Sequence, residues 1–364
     1  MSVFWKRVLT AIVILLFLWL LYSIRFLVYY FFIAAAISLM ARPINNFLSE
    51  LKIGKYRIPS SVIALFILFF ILGLAVGFFM IVVPPLNAEL SALLNIDYQQ
   101  LLNEGSDSYL VVKNWLADRN ILVENYITAE GLKELANNLF SSLSIGGTLG
   151  GLLGAFGAFF VTLLSVLFIS FFLIKDRELL GDILFAVVPD KHAEKAKTIL
   201  ENSKKMLTRY FIGLLIQVIL VSVLISIALL FLGVKYALLL GVMAGFLNLI
   251  PYVGPIIALT LAVLINFFLN LNMPFYAELL PLLGKVTVVF LVVQALDNMV
   301  LQPVIFSNSV QAHPLEIFFV ITIAGTLAGV LGMILAIPMY TFLRIIAKEF
   351  LSQNKIVQGL TKRI

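Results

Sequence analysis

Residues 236–268 read YALLLGVMAGFLNLIPYVGPIIALTLAVLINFF, an apolar run broken near its centre by Asn248 and by Pro251-Tyr252-Val253-Gly254-Pro255. Residues 315–346 read LEIFFVITIAGTLAGVLGMILAIPMYTFLRII, with Gly325, Gly329 and Gly332 at the corresponding place. As one straight helix each run would be about 48 Å long, well beyond a hydrocarbon layer of about 30 Å. Split at the breaks, each half is about 20 Å and does not reach across.

Two half-crossing helices joined by a non-helical tip form a re-entrant hairpin, whose exposed backbone survives at membrane depth only where protein buries it or water lines it. Paired interruptions of this kind point to a transport site, because half-helix termini and unwound carbonyls bind ions and solutes. Two long kinked spans are the other reading of the same residues. The connector from Leu269 to Leu280 has Glu278 and no Lys or Arg, which favours the outer face and therefore the hairpin.

The rest of the chain agrees with a membrane setting. Its 364 residues are 62% hydrophobic and 12% charged with no cysteine, and mean hydropathy is +1.10. A soluble domain carries about twice that charge, so a cytosolic enzyme, a disordered chain and a disulfide-stapled domain are all excluded. The net charge of +6 is a positive-inside signal rather than a nucleic-acid surface. The expected fold is an all-α polytopic membrane protein with about six full transmembrane helices, two re-entrant hairpins and an amphipathic extracytoplasmic helical loop.

Walking the chain gives the boundaries. Residues 1–83 supply scaffold helices: a hairpin of Val8–Ile24 and Phe26–Ala41 turning at Arg25, then a span Ile58–Val83 that ends at Pro84-Pro85. The basic loop Arg42 to Arg57 places the N-terminus inside the cell. Residues 84–147 are acidic with apolar residues at helical spacing, and Thr128 has the character of an N-cap. Residues 148–174 form a span that opens on glycines suited to close helix packing. Residues 175–210 form a cytoplasmic amphipathic linker in which Asp190 is placed to cap a helix after Pro189. Residues 211–347 hold the transport core, and 348–364 a cytoplasmic tail.

Between the two interrupted runs lies a helix of Pro281 to Gln302, long enough for one crossing. Gln294, Asp297 or Asn298, and Gln302 share one of its faces. An intramembrane Asp costs about 3 kcal/mol even on lenient scales. Two readings stand: Asp297 is a structural hydrogen-bonding residue near the inner interface, or it binds a coupling ion or proton, or gates. His313 before Pro314 reads as structural punctuation. Neither His192 nor His313 has companions at metal-ligand spacing.

The ordered string Asn248-Leu-Ile-Pro251-Tyr252-Val-Gly254-Pro255, Gln294-x-x-Asp297-Asn298-x-x-x-x-Pro303, His313-Pro314-Leu315 and Gly325-x-x-x-Gly329-x-x-Gly332 followed by Pro338 resembles the AI-2E (autoinducer-2 exporter) transporter family, as does Lys175-Asp176-Arg177. The likeness is dense from about residue 160 to 347. It implies a multi-pass permease of a prokaryotic plasma membrane, homo-oligomeric; the basic residues Lys348, Lys355, Lys362 and Arg363 place the C-terminus, like the N-terminus, in the cytoplasm. Relatives of that kind are linked to autoinducer-2 export or to sodium or lithium exchange for protons. The resemblance carries Asn248, Pro251, Gly254, Pro255, Gln294, Asp297, Asn298 and Pro303 over as transport-site or hairpin-tip residues, beside which Tyr252, Gln302, Gly325 and Gly329 belong by position.

The leading function is therefore a secondary transporter of a small solute or monovalent cation, with lipid around it, no nucleic acid, and no cofactor beyond a coupling Na⁺ or H⁺. GxxxxGK[ST] is absent, so no ATP is implied. A passive channel or a structural membrane scaffold is the alternative. An intramembrane enzyme is disfavoured, since HExxH, GxSxG and cysteine are all missing.

Overall fold

The structure, a computed structural model, describes residues 12, 16, 19, 20, 23–53, 56–94, 149–176, 178–270, 273–306 and 313–350. Most of the first expected span, and the acidic stretch after Leu94 with Thr128, lie outside the described residues. The protein is an all-α polytopic membrane protein, with five helices among the described residues long and apolar enough to cross a membrane.

The chain falls into two compact units, one drawn from Met1–Ile71, Gly157–Phe211 and Pro338–Ile364, the other from Leu72–Phe156 and Ile212–Ile337. In the first, helix α1 (Arg25–Glu50) continues nine residues past the expected end at Ala41. A two-residue ladder, β1 (Lys52–Ile53) with β2 (Tyr56–Arg57), closes the loop behind it. Helix α2 (Ser60–Leu94) runs through Pro84-Pro85, where an end was expected. Each proline removes one donor and crowds the carbonyl four residues back, yet the helix continues to Leu94.

Helix α3 (Leu149–Lys175) matches the expected fourth span to within a residue. Ala41 of α1, Ile63, Ala64, Ile67 and Leu68 of α2, and Ile174 of α3 form one buried cluster. Polar bonds tie α1 to α3 along their length: Tyr30 Oη lies 3.0 Å from Thr162 Oγ1, Ser38 Oγ donates to the Leu173 carbonyl at 3.0 Å, and buried Asn45 Nδ2 donates to the Ile174 carbonyl at 3.0 Å. The last two satisfy carbonyls that the end of α3 leaves unpaired.

After α4 (Leu179–Val187) and a 3₁₀ turn at Asp190–His192, helix α5 spans Ala193–Phe231. The expected linker of residues 175–210 and the span expected at Phe211 to Leu232 thus share one 39-residue helix. Asp190 opens the 3₁₀ turn and no side-chain cap bond forms there. His192 and the Lys195 ammonium both pack on the Phe350 ring, a structural use of that histidine.

The second unit contains the interrupted runs. Helix α6 (Ala237–Leu247) and helix α7 (Val253–Leu269) flank a five-residue tip. At about 1.5 Å per residue they are about 16 Å and 25 Å long, and neither spans about 30 Å. Any Cβ on Gly254 would collide with the Leu247 carbonyl oxygen, so only glycine lets the second arm start so close to the first. Tyr252 at the tip takes φ +65°.

Gly241 and Gly245 lie against Ser226 and Ser222 of α5. A Cβ on Gly241 would sit 2.6 Å from the Ser222 oxygen, and one on Gly245 2.5 Å from the Val218 oxygen. This backbone-to-backbone contact is the small-residue packing that lipid requires, since apolar burial gives helices no drive to associate there. Around it, Val221, Ile225 and Leu229 of α5, Leu240 and Ala244 of α6, and Ala258 and Ala262 of α7 pack with Val286, Val289, Phe290 and Val293 of the next helix.

That helix, α8 (Leu280–Leu296), follows a π-helical turn at Phe275–Leu279. It passes through a second π turn, Asp297–Leu301, into α9 (Gln302–Phe306). The last helix, α10 (Pro314–Phe350), is broken at Gly329, whose φ 61° and ψ −146° are non-helical. A Cβ on Gly332 would meet the Ala324 carbonyl oxygen. Residues eight apart in a straight helix are about 12 Å apart along the axis, so the chain folds back at Gly329. Of the three glycines in the expected break, Gly329 makes the turn, while Gly325 and Gly332 let the arms touch. The Leu315 amide donates to His313 Nδ1 at 3.2 Å, which makes His313 the cap of this helix.

These contacts predict the behaviour of glycine variants in unfolding titrations of the detergent-solubilised protein. Gly245→Val and Gly329→Ala each lower stability by about 1–3 kcal/mol, the first by overpacking and the second by backbone strain. Gly284→Ala, with open space around it, changes stability by less than about 1 kcal/mol.

Candidate functional site

The core-facing stripe of α8 runs Val286, Phe290 and Val293, spaced four and three apart. The next position on that face is Asp297. Its side chain is fully buried, at 0% exposure. Burial of a bare carboxylate is prohibitive, so partners must satisfy it. Three primary amides do, each from a different element.

Gln217 Nε2, on α5, donates to Asp297 Oδ1 at 3.0 Å and to Oδ2 at 2.9 Å. Asn248 Nδ2, at the end of α6, donates to Oδ2 at 3.3 Å. Gln302 Nε2, at the start of α9, donates to Oδ2 at 2.9 Å. Among the described residues no cation forms a salt bridge with this carboxylate; the pair found is Lys175 with Asp176 at 4.0 Å. A carboxylate wrapped in neutral donors keeps its charge stabilised without having that charge cancelled.

Local sequence explains each placement. Gln217 continues the buried seam Val221, Ile225 and Leu229 of α5 at four-residue steps. Asn248 extends the buried face of Leu240 and Ala244 by four more and closes α6 through its own amide to the Ala244 carbonyl. Gln302 is five residues beyond Asp297, which in an α-helix is the wrong face. The π turn corrects this, with the Gln302 amide bonded to the Asp297 carbonyl. Pro303 gives the reason: its ring would clash with the carbonyl four residues back, and a wider turn relieves that clash.

Of the two residues the spacing left open, Asn298 shares the face of Gln294 and Gln302, and Asp297 turns to the core. Gln294 Nε2 and Gln302 Nε2 donate to Asn298 Oδ1 at 3.0 and 2.9 Å. This amide ladder looks outward, with Asn298 exposed, while Asp297 looks inward. An α-helix turns about 100° per residue, so adjacent Asp297 and Asn298 cannot share a face. Gln302 belongs to both sets.

Of the expected site residues, the structure brings together Asn248, Asp297 and Gln302, and through Gln302 it joins Asn298 and Gln294. Pro251 and Gly254 shape the tip, with the Gly254 amide bonded to the Ile250 carbonyl at 2.9 Å. Pro255 lies in the first turn of α7, and Tyr252 is exposed. Gly325 and Gly329 belong to the other hairpin and give the Asp297 cluster no hydrogen bond. Gln217 was missed by the sequence reading. Its signal was there: a lone amide in the apolar run Phe211 to Leu220 invites the same question as a lone carboxylate. Buried Asn266, bonded to the Ala262 carbonyl at 2.8 Å, was missed for the same reason.

Comparison with known proteins follows the same line. The model of the AI-2E family transporter matches residues 9–352. "Putative transport protein YueF" of Bacillus subtilis is 27% identical over 350 residues, covering 88% of this chain and 90% of that protein. "Putative permease PerM" of Escherichia coli is 31% identical over 185 residues, 50% of each chain. "Putative transport protein MJ1177" of Methanocaldococcus jannaschii is 22% identical over 312 residues, 82% of this chain and 83% of that one.

The cluster predicts a stability signature. Asp297→Leu leaves the buried amides of Gln217 and Asn248 facing an apolar side chain and costs about 3 kcal/mol or more. Asp176→Leu, at an exposed pair, stays within about 0.5 kcal/mol. Denaturant titration in mixed micelles checks both.

Proposed function

The chain belongs to the AI-2E transporter family and is a multi-pass membrane transporter, and we propose that it works as a secondary transporter with the Asp297 cluster as its coupling site. The observation that carries this reading is a fully buried carboxylate, inside a helix long and apolar enough to cross a membrane, held among the described residues by neutral amides from three separate elements. An intramembrane carboxylate is expensive and marks ion or proton pathways. Here it joins the tip of a half-length hairpin to two longer helices, so a change in its ligation alters how those elements are held together.

In this reading the hairpins formed by α6–α7 and by the two arms of α10 are re-entrant from opposite sides. Their tips, with Asn248, Pro251, Tyr252, Gly254, Pro255, Gly325 and Gly329, border the solute path. The amide ladder of Gln294, Asn298 and Gln302, beside Pro303, offers that path donors and acceptors without charge. The solute is a small molecule such as autoinducer-2, exported, or the traffic is Na⁺ or Li⁺ exchanged for H⁺. The protein sits in a prokaryotic plasma membrane as a homo-oligomer, with both termini in the cytoplasm. The absence of GxxxxGK[ST] agrees with a gradient rather than ATP as the driving force.

Proteoliposomes containing the full chain test this. Na⁺ or Li⁺ pulses read by an internal pH dye, and counterflow of labelled autoinducer-2, are measured side by side. Asp297→Asn should bring gradient-driven traffic down to the level of empty liposomes while the size-exclusion profile stays the same. Unchanged traffic removes Asp297 from the mechanism, and fast conduction without counterflow makes the protein a channel.

A further inference from the structure

The two oxygens of Asp297 are held unequally. Oδ2 accepts from Gln217 Nε2, Gln302 Nε2 and Asn248 Nδ2, at 2.9, 2.9 and 3.3 Å. Among the described residues, Oδ1 accepts from Gln217 Nε2 alone, at 3.0 Å. A carboxylate oxygen offers about two lone-pair sites, so Oδ2 is fully engaged and Oδ1 keeps one open.

We propose that Asp297 Oδ1 is the atom that takes and releases the coupling ion, as a proton, and that Gln217 is the positioning residue whose carboxamide reads its charge state. This rests on the coupling role given to Asp297 above. The step balances simply. A proton from water adds to a lone pair of Oδ1, one O–H bond forms, and no bond within the protein breaks. The new O–H then faces the Gln217 N–H, donor against donor. Rotation of the Gln217 amide by half a turn replaces that repulsion with Oδ1–H donating to Gln217 Oε1. Oδ2 keeps Gln302 and Asn248, so the carboxyl stays on the hairpin tip and on α9. What changes is its hold on α5: two charge-assisted bonds become one neutral bond.

A sodium ion fits these neighbours poorly. It needs several oxygen ligands at once, whereas the groups turned to the carboxylate from α5, the tip and α9 present N–H. The charged residue of the same helix, Lys285, is 12 residues away, or about 18 Å along the axis. The site therefore discriminates by what it can donate to, and a proton requires only one flipped amide.

pH-difference infrared spectroscopy of the full chain in liposomes tests this without a known solute. The wild type should show the C=O band of a protonated carboxyl that Asp297→Asn removes and that Na⁺ does not displace. Gln217→Met deprives Oδ1 of the donor it has among the described residues, so the band should half-saturate at about tenfold lower proton concentration. Gln302→Met removes one of three donors to Oδ2 and should move it less. Should the methionine variant not fold, Gln217→Glu keeps the shape and adds a carboxyl that shares a proton with Asp297. Its band should then persist to at least about tenfold lower proton concentration. Displacement of the band by Na⁺, an equal or larger shift in Gln302→Met, or no shift in either Gln217 variant overturns the proposal. An intact, Gln217-sensitive band together with gradient-driven traffic that survives Asp297→Asn would instead overturn the coupling role while leaving the proton site in place.

Discussion

A carboxylate with no exposure to solvent, in a helix surrounded by apolar side chains, has to be solvated by the protein itself. Asp297 is solvated by Gln217, Asn248 and Gln302, and that requirement fixes much of the second unit. Asn248 reaches it as the residue that closes α6, one turn beyond Ala244 on the same buried face. Gln302 reaches it only because the helix widens into a π turn ahead of Pro303. Gln217 reaches it because its seam on α5 is held at backbone distance from α6 by Gly241 and Gly245. Each irregularity of the backbone thus places one donor.

The second constraint is the absence of water within a bilayer. Helices of about 16 and 25 Å cannot cross it, and their ends need partners that lipid does not supply. The tip between α6 and α7 meets part of that need itself, through the Asn248, Leu249, Ile250 and Gly254 amides, each bonded to a carbonyl within the hairpin. Ser38 and Asn45 do the same for the end of α3 in the other unit. Ser38 and Asn45 complete backbone hydrogen bonding, whereas at Asp297 three polar side chains gather around a charge. That concentration is what separates a candidate site from ordinary helix capping.

Much of this was legible before any coordinates. Span-length arithmetic gave the half-helices, and the string of polar residues at 294–302 gave the region of the site. The reading of Arg42–Arg57 as loop, of Pro84-Pro85 as an end and of residues 175–210 as a separate helix went astray for a common reason. Charge and proline mark where a helix leaves the apolar layer, whereas its hydrogen-bond ladder continues for as long as the backbone can close it. The spacing left Asp297 or Asn298 open as the partner of Gln294 and Gln302 on one face, and only the fold chose Asn298 for that face and turned Asp297 inward.

The sequence by itself determined that this chain lives in a membrane, where its helices break, and that a carboxylate sits within one of them, because hydropathy, glycine, proline and charge act locally along the chain. Only the tertiary structure decided which groups meet that carboxylate. Gln217 lies 80 residues and Asn248 49 residues from Asp297. Such encounters depend on how closely two helices approach and how far a turn is wound. Those quantities arise from packing between segments, which no periodicity within a segment encodes.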